Sequence, residues 1–210
     1  TDITFFEEVS RQLESHGVEW KSGASVDATI VETPKGRKRK DGTSTRDTDA
    51  SFTKKHSRSY HGYKHTTNTG TNGKYIKDTF TSTAKDHDSI HLDKVIDGTE
   101  ETLFADSGYA SKELKKQFRK EGRFFGIINR AYRNHPLSRS QKKVNHKRSG
   151  VRCRTEHPYA EIKIRMFFKA RYKGLRKNSW HFRMTAAAYN LKRFVGSLFP
   201  AQKQALVWRA

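Results

Sequence analysis

One stretch constrains the fold of this chain more than any other: TLFADSGYASKELKKQFRKEG, residues 102–122. Its apolar run, Leu103-Phe104-Ala105, has the composition of a short buried strand, and Gly108 then breaks the pattern. A helical pattern begins at Ser111 and closes at Gly122. A strand that feeds directly into a helix belongs in a sheet covered by helices. It also sets Asp106 at the strand's carboxyl end, where open α/β sheets bind their ligands.

The remaining segments fit that frame. Residues 3–16 have helical spacing, with Phe5, Phe6, Val9 and Leu13 on one face, and Gly17 ends them. SVDATIVET, 25–33, reads as a strand. Residues 35–59 are basic and aperiodic, so an exposed loop is expected. Residues 60–70 and 73–84 read as a hairpin around Gly70-Thr71-Asn72-Gly73. Caps at 86–89 precede a short helix, RFFGIINR (123–130) reads as a strand, and 131–149 as a basic irregular segment. Helices are expected at 151–169 and 179–199, the second with Phe182, Ala186, Tyr189 and Phe194 on one face. The expected architecture is one α/β domain over 1–199, a mixed sheet of about five strands flanked by helices. A C-terminal tail is expected over 200–210.

Charge narrows the partner. Lysine and arginine total 43 against 22 acidic residues, a formal net charge of +21. That imbalance calls for a polyanion, and without a long apolar stretch or lipidation signal nucleic acid fits better than membrane. An enzyme acting on nucleic acid and a basic protein of ribosomal or histone type fit the charge equally. The single cysteine, Cys153, excludes an intrachain disulfide and a cysteine zinc cluster, and suits a reducing cytoplasm.

Three carboxylates stand out. Asp27 interrupts an apolar strand, a costly place for a charge unless its face is solvated or a cation lies beside it. Asp106 serves equally well as a turn residue or a ligand. Glu156 lies in a cation-rich helical segment, where a surface ion pair with Arg152 or Lys163 is the ordinary fate. Two strand aspartates and a helix glutamate that converged would repel one another without a divalent cation. Oxygen-only ligands suit Mg2+ or Mn2+, and two such ions serve phosphodiester chemistry.

These residues resemble the DDE transposases of bacterial insertion sequences, in the broad group that includes the insertion sequence four and five families. VDATIVETP is similar to that family's first catalytic strand, and LFADSGYAS to its second with the tight turn after it. DTDASFTKK, YHGYKHT and TSTAKDHDS resemble the strands between, and RTEHPYAEIK, RYKGLRKN and AAAYNLKR the terminal helices. The family motif Y-x2-R-x3-E-x6-K is met by Arg152, Glu156 and Lys163, with Ser149 in the tyrosine position. The resemblance implies an RNase-H-like catalytic domain. It implies Asp27, Asp106 and Glu156 as the catalytic and metal-binding triad, with Arg152 and Lys163 on DNA. Water would cut a strand, and the freed 3′ hydroxyl would attack target DNA. It further implies a cytoplasmic, nucleoid-associated enzyme of the kind that generally acts as a homodimer. Such proteins usually carry an additional N-terminal helical region. Here 26 residues precede Asp27, so a shortened form is expected.

Other residues complete the reading. Lys169, Arg171, Lys173, Arg176 and Lys177 form a basic run suited to phosphates, with Tyr172 placed to stack on a base or sugar. Trp180 and Tyr189 have core spacing, and His87 with Asp88 reads as a helix cap. His56, His61 and His65 lack zinc-site spacing. Asp47 and Asp49 are expected to be solvated. The alternative to a transposase is a non-catalytic basic nucleic-acid-binding protein, including an inactive remnant.

Overall fold

The computed structural model describes residues 2–19, 23–55, 57–166 and 168–199. Helix α1 (Asp2–Ser15) buries Phe6, Val9 and Leu13, and Gly17 ends it at a positive φ of 88°. Strand β1 (Ala24–Glu32) follows, then β2 (Ser51–Lys55), β3 (Arg58–Gly70) and β4 (Ile76–Thr83). A 3-10 segment (Asp88–Lys94) leads to β5 (Thr102–Ala105), α2 (Lys112–Lys120) and β6 (Phe124–Phe125). Helix α3 (Arg139–Ala160) passes into a π turn (Glu161–Arg165), and α4 (Leu175–Leu198) completes the described chain.

The six strands form one mixed sheet. β1 is antiparallel to β3, which pairs β4 along its other edge and β2 through its first residues. On its other side β1 runs parallel to β5, and β5 parallel to β6. Helices cover both faces. Val31 packs with α1, α4, Tyr159 and Ile162 on one side. Ala24, Val26, Leu103 and Ala105 pack with Phe118 and Tyr109 on the other. Buried Glu100 anchors the approach to β5, accepting from the N–H groups of Asp97 and Gly98 and from Asn68, with Lys77 and Arg123 beside it.

The fold differs from expectation in several places. The sheet has six strands, because 51–55, within the expected loop 35–59, pairs with the first residues of β3. The strand expected over 123–130 keeps two paired residues. The expected irregular segment 131–149 is helical from Arg139. A capping box of Ser138 and Gln141 starts the helix, and Asn145 and Arg148 tie it to Asn129 and the Ile127 carbonyl. Its polar sequence carries no apolar stripe to announce it. Pro158 lies in the last turn of this helix. It withholds one N–H, and just beyond it the ladder widens, with the Met166 N–H reaching the Glu161 carbonyl at 3.0 Å.

Asp47 departs from the expected solvated loop, whereas Asp49 is exposed as expected and still finds a partner. Asp47 is 6% exposed and accepts from the Tyr63 hydroxyl at 2.6 Å and the Gly174 N–H at 3.0 Å. Asp49 accepts from the Leu175 N–H at 3.0 Å. Gly174, at φ 96°, has no side chain to cap α4, so these aspartates satisfy the helix's first donors from across the chain. Trp180 is not core: it is 39% exposed, whereas Tyr189 is buried. His65 is buried, stacked 4.1 Å from the Phe182 ring, and His61 bonds Thr33, while His56 lies outside the described residues.

Candidate active site

β1 and β5 are parallel, and Val26 pairs with Ala105. The next residue on each is an aspartate, Asp27 and Asp106, so the register alone sets them side by side on neighbouring strands. Asp106 also caps the 3-10 turn Ser107–Tyr109, its Oδ1 accepting from the Ser107 N–H at 2.6 Å. The same side chain serves the turn and lines the cavity described below. Glu156 arrives from α3, which crosses the Asp27 face of β1. That face is therefore covered by a helix, not solvated.

Tyr159 fixes the crossing. Its hydroxyl is buried, 2.7 Å from the Asp27 carbonyl and 2.9 Å from the His65 carbonyl, and accepts from the Thr67 hydroxyl at 2.9 Å. This one side chain ties the helix that carries Glu156 to the residue that carries the first aspartate. The π turn sends Lys163 to the same strand, where its Nζ meets the Thr29 hydroxyl and the Ile30 carbonyl.

Asp27, Asp106, Glu156, Arg152 and Lys163 line one cavity of about 630 Å³, with Lys54, Lys55, Lys64, Tyr60 and Asp88 on its walls. Burial pushes the Asp27 carboxyl above its ordinary pKa. The charges of Asp106 and Asp88 push the same way, against Arg152 and the Ala28 N–H. Arg152 reaches 3.9 Å from Asp27 and 4.0 Å from Asp106, a cation between two carboxylates. Among the described residues no three acidic or imidazole groups close tightly enough to enclose an ion.

The family model for the transposase DDE domain matches residues 21–191. The chain belongs to the DDE transposase family. No solved structure matches it significantly. The mixed six-stranded sheet flanked by helices is consistent with the RNase-H-like fold of such transposases, and no described helix is long and apolar enough to cross a membrane.

In this DDE transposase chain the basic run does not form one surface. Lys169 joins Lys163 along a groove at the carboxyl end of β1. Tyr172, Arg176 and Lys177 line a separate cleft with Trp180. Arg171 and Lys173 are exposed between them. The cavity also holds residues that sequence reasoning missed. Lys54 and Lys55 fall in the segment expected as a loop, and Lys64 in an expected strand. At the expected cap it is His87 whose side chain accepts from the Ser89 N–H, while Asp88 faces the cavity. Alternation along β3 could have flagged Lys64, since it follows buried Tyr63 and precedes buried His65.

Proposed function

We propose that this chain is the catalytic part of a DNA transposase that cuts DNA strands and joins a 3′ hydroxyl end to target DNA, moving an insertion sequence of the four/five-like group. One observation carries the proposal: Asp27, Asp106 and Glu156, from three distant segments, line a single cavity with cationic walls in a chain of the DDE family.

By donor type the three carboxylates suit a divalent cation. The carboxylates are hard oxygen donors, Asp27 is partly buried at the cost of its charge, and Arg152 already supplies positive charge between the aspartates. Asp27, Asp106 and Glu156 would hold Mg2+ or Mn2+, which when bound activates water and stabilises the leaving oxygen of a phosphodiester. Arg152, relieved of the aspartates, is placed to take a DNA phosphate. Lys163, with its pKa lowered by burial and by Lys55, is held against β1 at the cavity wall. Lys169 beside Lys163 in one groove, Tyr172, Arg176 and Lys177 in a separate cleft, and exposed Arg171 and Lys173 between them supply phosphate contacts at separate places.

The test is cleavage of duplex DNA with Mg2+ or Mn2+. Asp106→Asn should abolish cleavage and leave DNA binding intact, and affinity should fall steeply with salt. The gap filled by Arg152 favours one second reading, a DNA-binding chain without catalysis. Metal-independent binding with no cleavage under any condition would establish that reading instead.

A further inference from the structure

Trp180 has the spacing of a core residue, yet it keeps 39% of its surface in solvent, and Tyr172 keeps 42%. The two side chains line one cleft of about 380 Å³, and Arg176 and Lys177 complete its walls. None of the four lines the cavity that holds Asp27, Asp106 and Glu156. Aromatic surface left in water is a standing cost of folding, and a ligand that covers it recovers that free energy.

Local structure sets the cleft in advance. Arg176, Lys177 and Trp180 belong to the first turns of α4, where spacings of four and three residues put Trp180 on the face of both cations. Tyr172 stands just before the helix. Its carbonyl accepts from the side-chain amide of fully buried Asn178 at 2.8 Å, and the same amide donates to the Gly174 carbonyl at 2.9 Å. The Tyr172 ring meets His181 edge to face, with centroids 5.3 Å apart. Asp47 and Asp49 hold the Gly174 and Leu175 N–H groups of the same turn. Turn and helix form one unit, so binding costs little ordering of the walls. Among the described residues the Arg176 and Lys177 side chains make no ion pair or hydrogen bond, which leaves both charges to an anion.

Cations alone hold the phosphates of any DNA, paired or not. Aromatic rings add a condition. A base inside a duplex has both faces covered by its neighbours, whereas a base of a single strand can lie on a side-chain ring. We propose that this cleft takes an unpaired nucleotide of a DNA strand, its base on Tyr172 and Trp180 and its phosphate on Arg176 and Lys177. Here the protein tells single-stranded DNA from duplex, which phosphate contacts by themselves do not. The proposal rests on the DNA-binding part of the reading above and needs neither metal nor cleavage.

The test is the affinity of the whole chain for a labelled single-stranded oligothymidylate and for a duplex of the same length, read by fluorescence anisotropy in chelator so that no strand is cut. Trp180→Ala and Tyr172→Ala should each lower the ratio of single-strand to duplex affinity by about 5–100-fold. Trp180→Phe and Tyr172→Phe, which keep a ring, should hold most of that ratio. Trp180→Leu, which keeps apolar bulk without a π face, should lose it, and it serves in place of Trp180→Ala if melting shows that variant unfolded. Arg176→Ala and Lys177→Ala should each reduce the salt slope of single-strand binding by about 0.7. A ratio unchanged by the losses of Trp180 and Tyr172, with duplex binding intact, would overturn the proposal and leave the DNA reading standing. So would self-association of the chain that Trp180→Ala abolishes while the ratio holds, which would give the cleft to a second copy. Absence of binding to either DNA would overturn the proposal and the DNA reading together.

Discussion

The two long helices are built on opposite principles. α4 is held by area: Phe182, Ala186, Ala187 and Tyr189 are buried along it, and buried Asn190 bonds both the N–H and the carbonyl of Ile76. Its first turn is closed by Asp47 and Asp49. Among the described side chains of α3 only Pro158 and Tyr159 are buried. It is held by points instead: the Ser138 capping box, Asn145, Arg148 and the Tyr159 hydroxyl. A helix fixed by area stays put, whereas one fixed by a few bonds leaves its middle free to face a ligand. Arg152 and Glu156 lie over the cavity between the attachments made by Arg148 and Tyr159.

That contrast can be broken most sharply at Phe182. Phe182→Ala empties the centre of α4's contact and should cost about 3–5 kcal/mol in denaturant unfolding. Val144→Ala, on half-buried α3 surface, should cost well under half as much. Equal losses would show that α3 is also held by area.

Acid should attack the α4 side next. Burial, with the charges of Lys163 and His181 adding to it, pushes His65 down to about 3 in the folded protein, and His181 is also lowered by burial. The unfolded imidazole takes its proton near 6.5, so this stabilisation is complete above that pH. It declines as pH falls toward 3, by about 1.4 kcal/mol per unit for one such group. His65→Phe should flatten most of the slope between about pH 6.5 and 4.5, before the carboxylates titrate. An unchanged slope would remove His65 from the core.

Tyr159→Phe tests the α3 latch. Losing the hydroxyl bridge should cost about 1–2 kcal/mol of stability. If the latch sets Glu156, cleavage should fall more than DNA affinity does. The smallest effect belongs to the cap: Asp49→Ala should cost about 1 kcal/mol and leave α3 unaffected, as hydrogen exchange along the two helices would report.

These differences follow how much of each region was legible in the sequence. α4 was readable because Phe182, Ala186 and Tyr189 repeat at helical spacing. The first half of α3 was not, because capping and point bonds leave no periodic trace in a polar segment. Asp27 and Asp106 were legible as strand residues out of keeping with their surroundings. That Asp88 faces the cavity was not, because an acidic residue beside a cap has an ordinary local explanation.

The sequence by itself determined the α/β class, the excess of basic residues and which carboxylates stand out from their surroundings, since strand, helix and charge patterns are local properties of the chain. Only the tertiary structure decided which charges meet. Strand register set Asp27 beside Asp106, the crossing of α3 brought Arg152 between them, and the pairing of β3 delivered Lys64 to Asp88. Those encounters join residues dozens of positions apart, and pairing across such distances is settled by packing, which no local pattern records.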